Sequence, residues 1–156
     1  MSNIQQAMFG AEQEQLTKDD HYTPKWIFDA MGLIFDIDVA SPPGGVPWIP
    51  KKRYFTRGDD GLSQTWEGRI WCNPPFSKPG PWADRMLEHG NGVLLCPIAK
   101  SSWTDRIWAS QGAIVLLPNR LVFERPEASA GISYPTCLVA FGADNADAIA
   151  RVGRIR

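Results

Sequence analysis

The chain has 156 residues, 44% of them hydrophobic and 21% charged, with a formal net charge of −1. That is the composition of one soluble globular domain long enough to bury a core, and the charge by itself argues for no nucleic-acid partner. No apolar run approaches the length of a membrane-spanning helix, and the polar N-terminus does not resemble a signal peptide.

Cys72, Cys96 and Cys137 all lie in apolar runs, and there is no Cys-x-x-Cys pair. An odd number in such settings predicts reduced core residues in a cytoplasmic protein, with no disulfide framework and no structural metal. Residues 1–20 carry Lys18 against Glu12, Glu14, Asp19 and Asp20, so the remainder is slightly basic. Lys51, Lys52, Arg53 and Arg57 form one basic cluster and Arg151, Arg154 and Arg156 another, of the kind usually found in solvated loops and ends.

Residues 1–19, rich in Gln, Glu and Ser, predict a mobile tail, with a single domain over 20–156. Thr23 and Pro24 have the chemistry of a helix N-cap and first helical position, and Gly32 that of a helix end. Alternation predicts a strand over 33–39, with Leu33, Phe35, Ile37 and Val39 on one face and Asp38 near its carboxyl end. The Pro/Gly-rich stretch from Ser41 to Pro50 predicts an irregular, exposed loop. Further strands are expected over 69–72, 92–97, 113–117, 120–124 and 136–141. Helices are expected over 82–88, 102–110 and 143–152, the last capped by Asp144 or Asn145. Apolar runs alternating with helices predict an α/β fold, a mostly parallel twisted sheet with helices on both faces.

The most informative segment is Asn73-Pro74-Pro75-Phe76, directly behind the apolar run 69–72. Asn73 offers a carbonyl oxygen that can accept a hydrogen bond from an exocyclic amino group. The successive prolines lock φ and remove backbone donors, so the Pro74 carbonyl can stand out as a second acceptor. Phe76 adds a flat face for stacking a base. Asn-Pro and Pro-Pro also mark ordinary turns; the position at a strand end favours the chemical reading, because open α/β sheets bind ligands beyond the carboxyl ends of their strands.

With these pieces in order the chain resembles the phage Dam-like DNA N6-adenine methyltransferases, over roughly residues 20 to 125. His21-Tyr22-Thr23-Pro24-Lys25-Trp26 is similar to the family's opening segment beside the methyl donor. Phe35-Asp36-Ile37-Asp38-Val39-Ala40-Ser41 is similar to its first cofactor-binding strand. Asp59-Asp60-Gly61-Leu62 with Trp66 is similar to its acidic loop near the cofactor adenine. Asn119-Arg120-Leu121-Val122-Phe123 resembles a later segment that supplies an aromatic face. The resemblance implies S-adenosylmethionine as donor and adenine in double-stranded DNA as acceptor. It implies donor contacts at Thr23, Pro24, Asp38, Ala40, Ser41, Asp60, Leu62 and Asn73, and DNA contacts at Phe76, Lys78, Arg120 and Phe123.

Each residue also has a plainer role open to it. Asp38 suits a charge-assisted acceptor and equally a strand-end cap, the Asp-Asp-Gly run is strongly turn-forming, and Phe123 suits a core. A glycine-rich cofactor loop is missing where Ser41-Pro42-Pro43-Gly44-Gly45 stands, and no separate recognition domain has room. Readout of DNA sequence then falls to loops, the tail or the second subunit of a homodimer. The expected reaction is direct methyl transfer with neither metal nor cysteine nucleophile. The rival readings are methylation of cytosine N4 or a protein glutamine, and a catalytically silent DNA-binding or anti-defence protein of the same fold.

Overall fold

A computed structural model describes residues 20–117 and 135–153, together with the backbone of 122–123 and 130–131. The expected tail over 1–19, and Arg154 and Arg156, lie outside the described residues. Helix α1 (Lys25–Met31) starts one residue later than the Thr23–Pro24 pattern predicts. Pro24 is itself the N-cap, with extended backbone at φ −63° and ψ 146°, and no side chain caps the helix. The Thr23 hydroxyl instead accepts from Asn73, fifty residues away. Gly32 ends the helix in the left-handed region, φ 64°, where a side chain would be strained.

The strands are β1 (Phe35–Asp38), β2 (Lys51–Tyr54), β3 (Ile70–Cys72), β4 (Gly92–Pro97), β5 (Ala113–Leu116), β6 (Val122–Phe123), β7 (Ala130–Gly131) and β8 (Thr136–Phe141). The remaining helices are α2 (Gly80–His89), α3 (Ser102–Ala109) and α4 (Ala143–Val152). Six strands form one sheet in the order β2-β1-β3-β4-β8-β5, while β6 and β7 pair separately. Pairings β1–β2, β1–β3 and β3–β4 are parallel, but β8 is antiparallel to both β4 and β5. The sheet is therefore mixed: the expectation of a mostly parallel sheet holds from β2 through β4 and fails at β8 and β5. Parallel neighbours need a long crossover, usually a helix. Among the described residues only the β6–β7 pair stands between β5 and β8, so the chain returns antiparallel.

Helices cover both faces. Ile27, Phe28 and Met31 of α1 and Ala148, Ile149 and Val152 of α4 pack on Trp71, Val93, Leu95, Leu138 and Ala140. On the other face Ala83 and Met86 of α2 and Trp103 and Ile107 of α3 meet Ile70, Cys72, Leu94, Val139 and Phe141. Phe35 joins the first cluster, whereas Ile37 and Val39 join the second, so the predicted common face is broken. The cause is local: the amides of Asp36 and Ile37 both reach the Arg69 carbonyl, at 2.7 and 3.4 Å, as in a bulge.

Two loop expectations also change. Within the Ser41–Pro50 stretch Val46 and Ile49 are buried in the core, and Trp48 Nε1 donates to the Thr23 carbonyl at 2.7 Å. The stretch is irregular but not exposed. The Lys51-Lys52-Arg53 cluster is the edge strand β2: Lys52 and Arg53 are exposed, Lys52 pairing with Asp36 at 2.9 Å, while the half-buried Lys51 donates to the Val46 carbonyl at 2.6 Å. Arg151 is exposed but not frayed: its guanidinium donates to the Ala30 and Met31 carbonyls, joining α4 to the end of α1.

At the amino ends of the strands a polar knot replaces the predicted cap of α4. Gly142 is the N-cap, without side-chain help. Asn145, 2% exposed, accepts from Arg69 Nε at 2.8 Å and donates to the Asn91 side chain at 2.8 Å and the Phe141 carbonyl at 2.7 Å. Asn145→Ala removes three hydrogen bonds, one of them to the buried Phe141 carbonyl, and should lower the unfolding free energy by about 1–3 kcal/mol. Asp144→Ala should cost less than about 1 kcal/mol, the value of a charge at a helix start. Urea titration of the two variants checks the difference.

Candidate active site

β1 continues to β2 on one side of it, and β3 continues to β4 on the other. The carboxyl ends of β1 and β3 thus flank the point where strand order reverses, the place where open sheets form a ligand crevice. A cavity of about 310 Å³ lies there, lined by Asp20, Ala40, Ser41, Thr56, Arg57, Asp60, Gly61, Asn73, Pro75, Ser77, Lys78 and Trp82. That volume falls within the range of small-molecule sites.

The first wall is the turn after β1. The Val39 amide donates to the Trp71 carbonyl at 3.1 Å and Ser41 to Phe55 at 2.8 Å, so Ala40 and Ser41 are held at the rim. Asp38 lies beneath them, 1% exposed and outside the cavity lining. Burial raises its pKa to about 7, opposed by the Ala40 N–H and by the charge of Lys51. Its carboxylate accepts from Ala40 N at 3.4 Å, a long bond for a buried acid.

The second wall is built from two short 3-10 turns, Arg57–Asp59 and Gly61–Ser63, hinged at Asp60. Asp59 caps the first turn through the Thr56 amide at 2.9 Å. Asp60 has φ 52°, and among the described residues it is the one non-glycine residue with positive φ. Such a conformation costs of order 1–3 kcal/mol and is typical of sites where a side chain or backbone is held for use. Gly61 follows because nothing larger fits: a β-carbon there would stand 2.1 Å from the Val39 carbonyl oxygen. The hinge is braced from outside. Trp66 Nε1 donates to Gly61 O at 2.8 Å, and Arg85 donates to the carbonyls of Leu62 and Gln64 at 2.6 and 2.8 Å while lying over the Trp66 ring.

The third wall is the segment behind β3. Asn73 Nδ2 donates to the His21 carbonyl at 2.9 Å and to Thr23 Oγ1 at 3.3 Å. With the nitrogen end of the carboxamide anchored, Oδ1 is directed away from these two acceptors. Pro75 and Lys78 also line the cavity, and the Lys78 amide closes a turn onto the Pro75 carbonyl at 3.1 Å. Pro74 is buried and Phe76 half-buried outside the lining, with the His21 ring stacked against Phe76 at 6.3 Å between centroids and 25° between planes.

Of the residues singled out in the sequence, the cavity therefore brings together Ala40, Ser41, Asp60, Asn73, Pro75 and Lys78. Thr23, Pro24, Asp38, Leu62, Pro74 and Phe76 do not line it. Arg120 and the side chain of Phe123 lie outside the described residues. Sequence reasoning missed Asp20, Thr56, Arg57, Gly61, Ser77 and Trp82 as lining residues. Arg57 Nη1 meets both Asp20 oxygens, at 2.9 and 2.7 Å, and Asp20 is 7% exposed. A pair so far apart in sequence leaves no local signal, whereas Thr56 and Asp59 carry the spacing of a capping box.

The family model described as DNA N-6-adenine-methyltransferase (Dam) matches residues 10–131. Neither a curated protein nor a solved structure matches the chain. The match takes in β1 through β7 and every described residue of the cavity wall, and it stops before β8 and α4. On that extent the chain belongs to the DNA N-6-adenine-methyltransferase (Dam) family.

Proposed function

We propose that the protein transfers a methyl group from S-adenosylmethionine to the N6 amino group of adenine in double-stranded DNA. The observation that carries this reading is the anchored carboxamide of Asn73 on the wall of the cavity at the strand-order reversal. Membership of the Dam family supports both the donor and the base.

The residues present fit the donor in charge and size. The cavity wall mixes acceptors, Asp20, Asp60 and Asn73, with the cations Arg57 and Lys78, which suits a ligand carrying an ammonium, a carboxylate and a nucleoside. Beneath the wall, Asp38 is a buried carboxyl whose ionised form a nearby cation would stabilise. When bound, S-adenosylmethionine supplies a methyl group already activated by its sulfonium. Ala40, Ser41 and the Asp60 hinge would hold it against the ends of β1 and β3.

What remains for the protein is alignment. Asn73 Oδ1 would accept one hydrogen of the adenine amino group and the Pro74 carbonyl the other. That turns the nitrogen lone pair toward the methyl group and takes up positive charge as it develops on nitrogen. Orientation of this kind is worth roughly 7–11 kcal/mol of barrier. Phe76, with His21 beside it, provides the aromatic surface for the base. Extruding a base from a duplex costs a few kcal/mol, of the same order as the roughly 1–3 kcal/mol that stacking on an aromatic returns.

Incubation with labelled donor and duplex DNA, followed by mass analysis of the nucleosides, should yield N6-methyladenine. N4-methylcytosine would redirect the chemistry, and donor binding without transfer would favour a silent DNA-binding protein. Asn73→Ala should lower kcat about 10²–10³-fold, as for loss of one transition-state hydrogen bond. The donor Kd by calorimetry should stay within about tenfold, under about 1.4 kcal/mol. Wild-type activity in that variant would remove Asn73 from the mechanism.

Asp38 gives a pH signature. Its folded-state pKa is raised from 3.8 to about 7, so its stabilising contribution is full below pH 3.8 and is lost as pH rises through 7. Asp38→Asn should remove that fall, and the variant should gain on the wild type in urea unfolding between pH 5 and pH 7.5. Parallel stability curves for the two proteins would mean that Asp38 is already ionised and solvated.

A further inference from the structure

Cys96 on β4 and Cys137 on β8 face one another across the sheet, their sulfurs 3.4 Å apart. They are direct partners in the antiparallel register. Beyond the end of the pairing the Ile98 amide donates to the Pro135 carbonyl at 2.8 Å, so Ile98 and Pro135 face each other as a hydrogen-bonded pair. Bonded and non-bonded pairs alternate along such a ladder, which makes Cys96 and Cys137 a bonded pair with α-carbons about 5.5 Å apart. A disulfide requires α-carbons about 4.4–6.8 Å apart. The backbone is already in range, and closure asks only for side-chain rotation.

Access is the second observation. Both cysteines line a narrow cleft of about 20 Å³ together with Trp103, Ile107, Ile114 and Leu116. A space of that size admits a solute on the scale of a water molecule and excludes a tripeptide thiol. Cys72, by contrast, is 0% exposed and is not part of the cleft. The two thiols are inequivalent. Cys137 is the more exposed, 7% against 2%. The hydrogen bond between them holds the Cys137 thiol below its ordinary pKa and pushes Cys96 well above.

We propose that Cys96 and Cys137 form a reversible oxidation site, closed to a cross-strand disulfide by hydrogen peroxide. The Cys137 thiolate attacks one peroxide oxygen and breaks the O–O bond. Cys137 becomes a sulfenic acid, and the departing hydroxide takes up the thiol proton as water. The Cys96 sulfur then attacks the sulfenic sulfur, forms the S–S bond and releases the second water. Two thiols lose two electrons and the peroxide gains them. A dithiol reverses the reaction by exchange once local unfolding opens the cleft.

The test uses the whole 156-residue chain, treated with hydrogen peroxide while folded, then unfolded in urea, alkylated with iodoacetamide and mapped without reduction. Of the three free thiols, one should remain alkylatable, at Cys72, and a Cys96–Cys137 linked peptide should appear. Dithiothreitol added to the unfolded chain should restore all three. In Cys96→Ser the reaction should stop at a sulfenic acid on Cys137, which dimedone present during unfolding traps. Retention of three alkylatable thiols, a different pairing, or added oxygen on a cysteine without any cross-link would overturn the proposal. Because the wild-type map decides the matter, a variant that fails to fold leaves the outcome readable.

Discussion

The carboxamide of Asn73 is the contact on which the site depends. Its nitrogen ties the end of β3 to the His21 carbonyl and the Thr23 hydroxyl, closing a loop of about fifty residues with two hydrogen bonds. The same Thr23 carries, on its carbonyl, the indole of Trp48. One side chain thus registers the approach to α1, the Pro/Gly-rich loop and the motif behind β3 against each other. A loop of that length costs little more to close than a short one, since the cost grows only with the logarithm of length. What must be supplied is a partner with both a donor and an acceptor end, which asparagine has and aspartate lacks at neutral pH.

Around that anchor, the cavity is made by stiffness rather than by bulk. The Asp60 hinge is strained, Gly61 allows the Val39 carbonyl to approach as no other residue could, and Arg85 with Trp66 braces both from behind. Asp38 is buried with one long hydrogen bond. Each is a local cost that the packed sheet tolerates. The opposite end of the strands shows where that tolerance originates. Arg69, Asn145 and Asn91 form a satisfied polar knot there, with Asp36 accepting from the Arg69 amide. These bonds lie away from the cavity, so the groups that fix the sheet are not the ones that face a ligand.

The mixed sheet has a chemical consequence too. By inserting β8 antiparallel between β4 and β5, the fold places Cys96 and Cys137 side by side, although forty residues separate them. A wholly parallel sheet, with β5 next to β4, would have kept them apart. A topological detail therefore creates a thiol pair that a count of cysteines could not reveal.

Elements with strong short-range patterns were legible from the chain alone: β4, β8 and α4 occupy the predicted residues because a continuous apolar run or a clear helical stripe admits one answer. The segment Asn73–Phe76 and the acidic turn at Asp60 were legible as chemistry, since proline and an Asp-Asp-Gly run act on their own backbone. Edge strand β2 was not, because Lys-Lys-Arg-Tyr has no buried face to impose alternation. The burial of Val46 and Ile49, the Asp20–Arg57 pair and the direction of β8 were equally silent. Local sequence determines what a few neighbouring residues can do with their own dihedrals and hydrogen bonds. Which distant groups meet, and hence which of them line the cavity, was decided only when both faces of the sheet had to be covered at once.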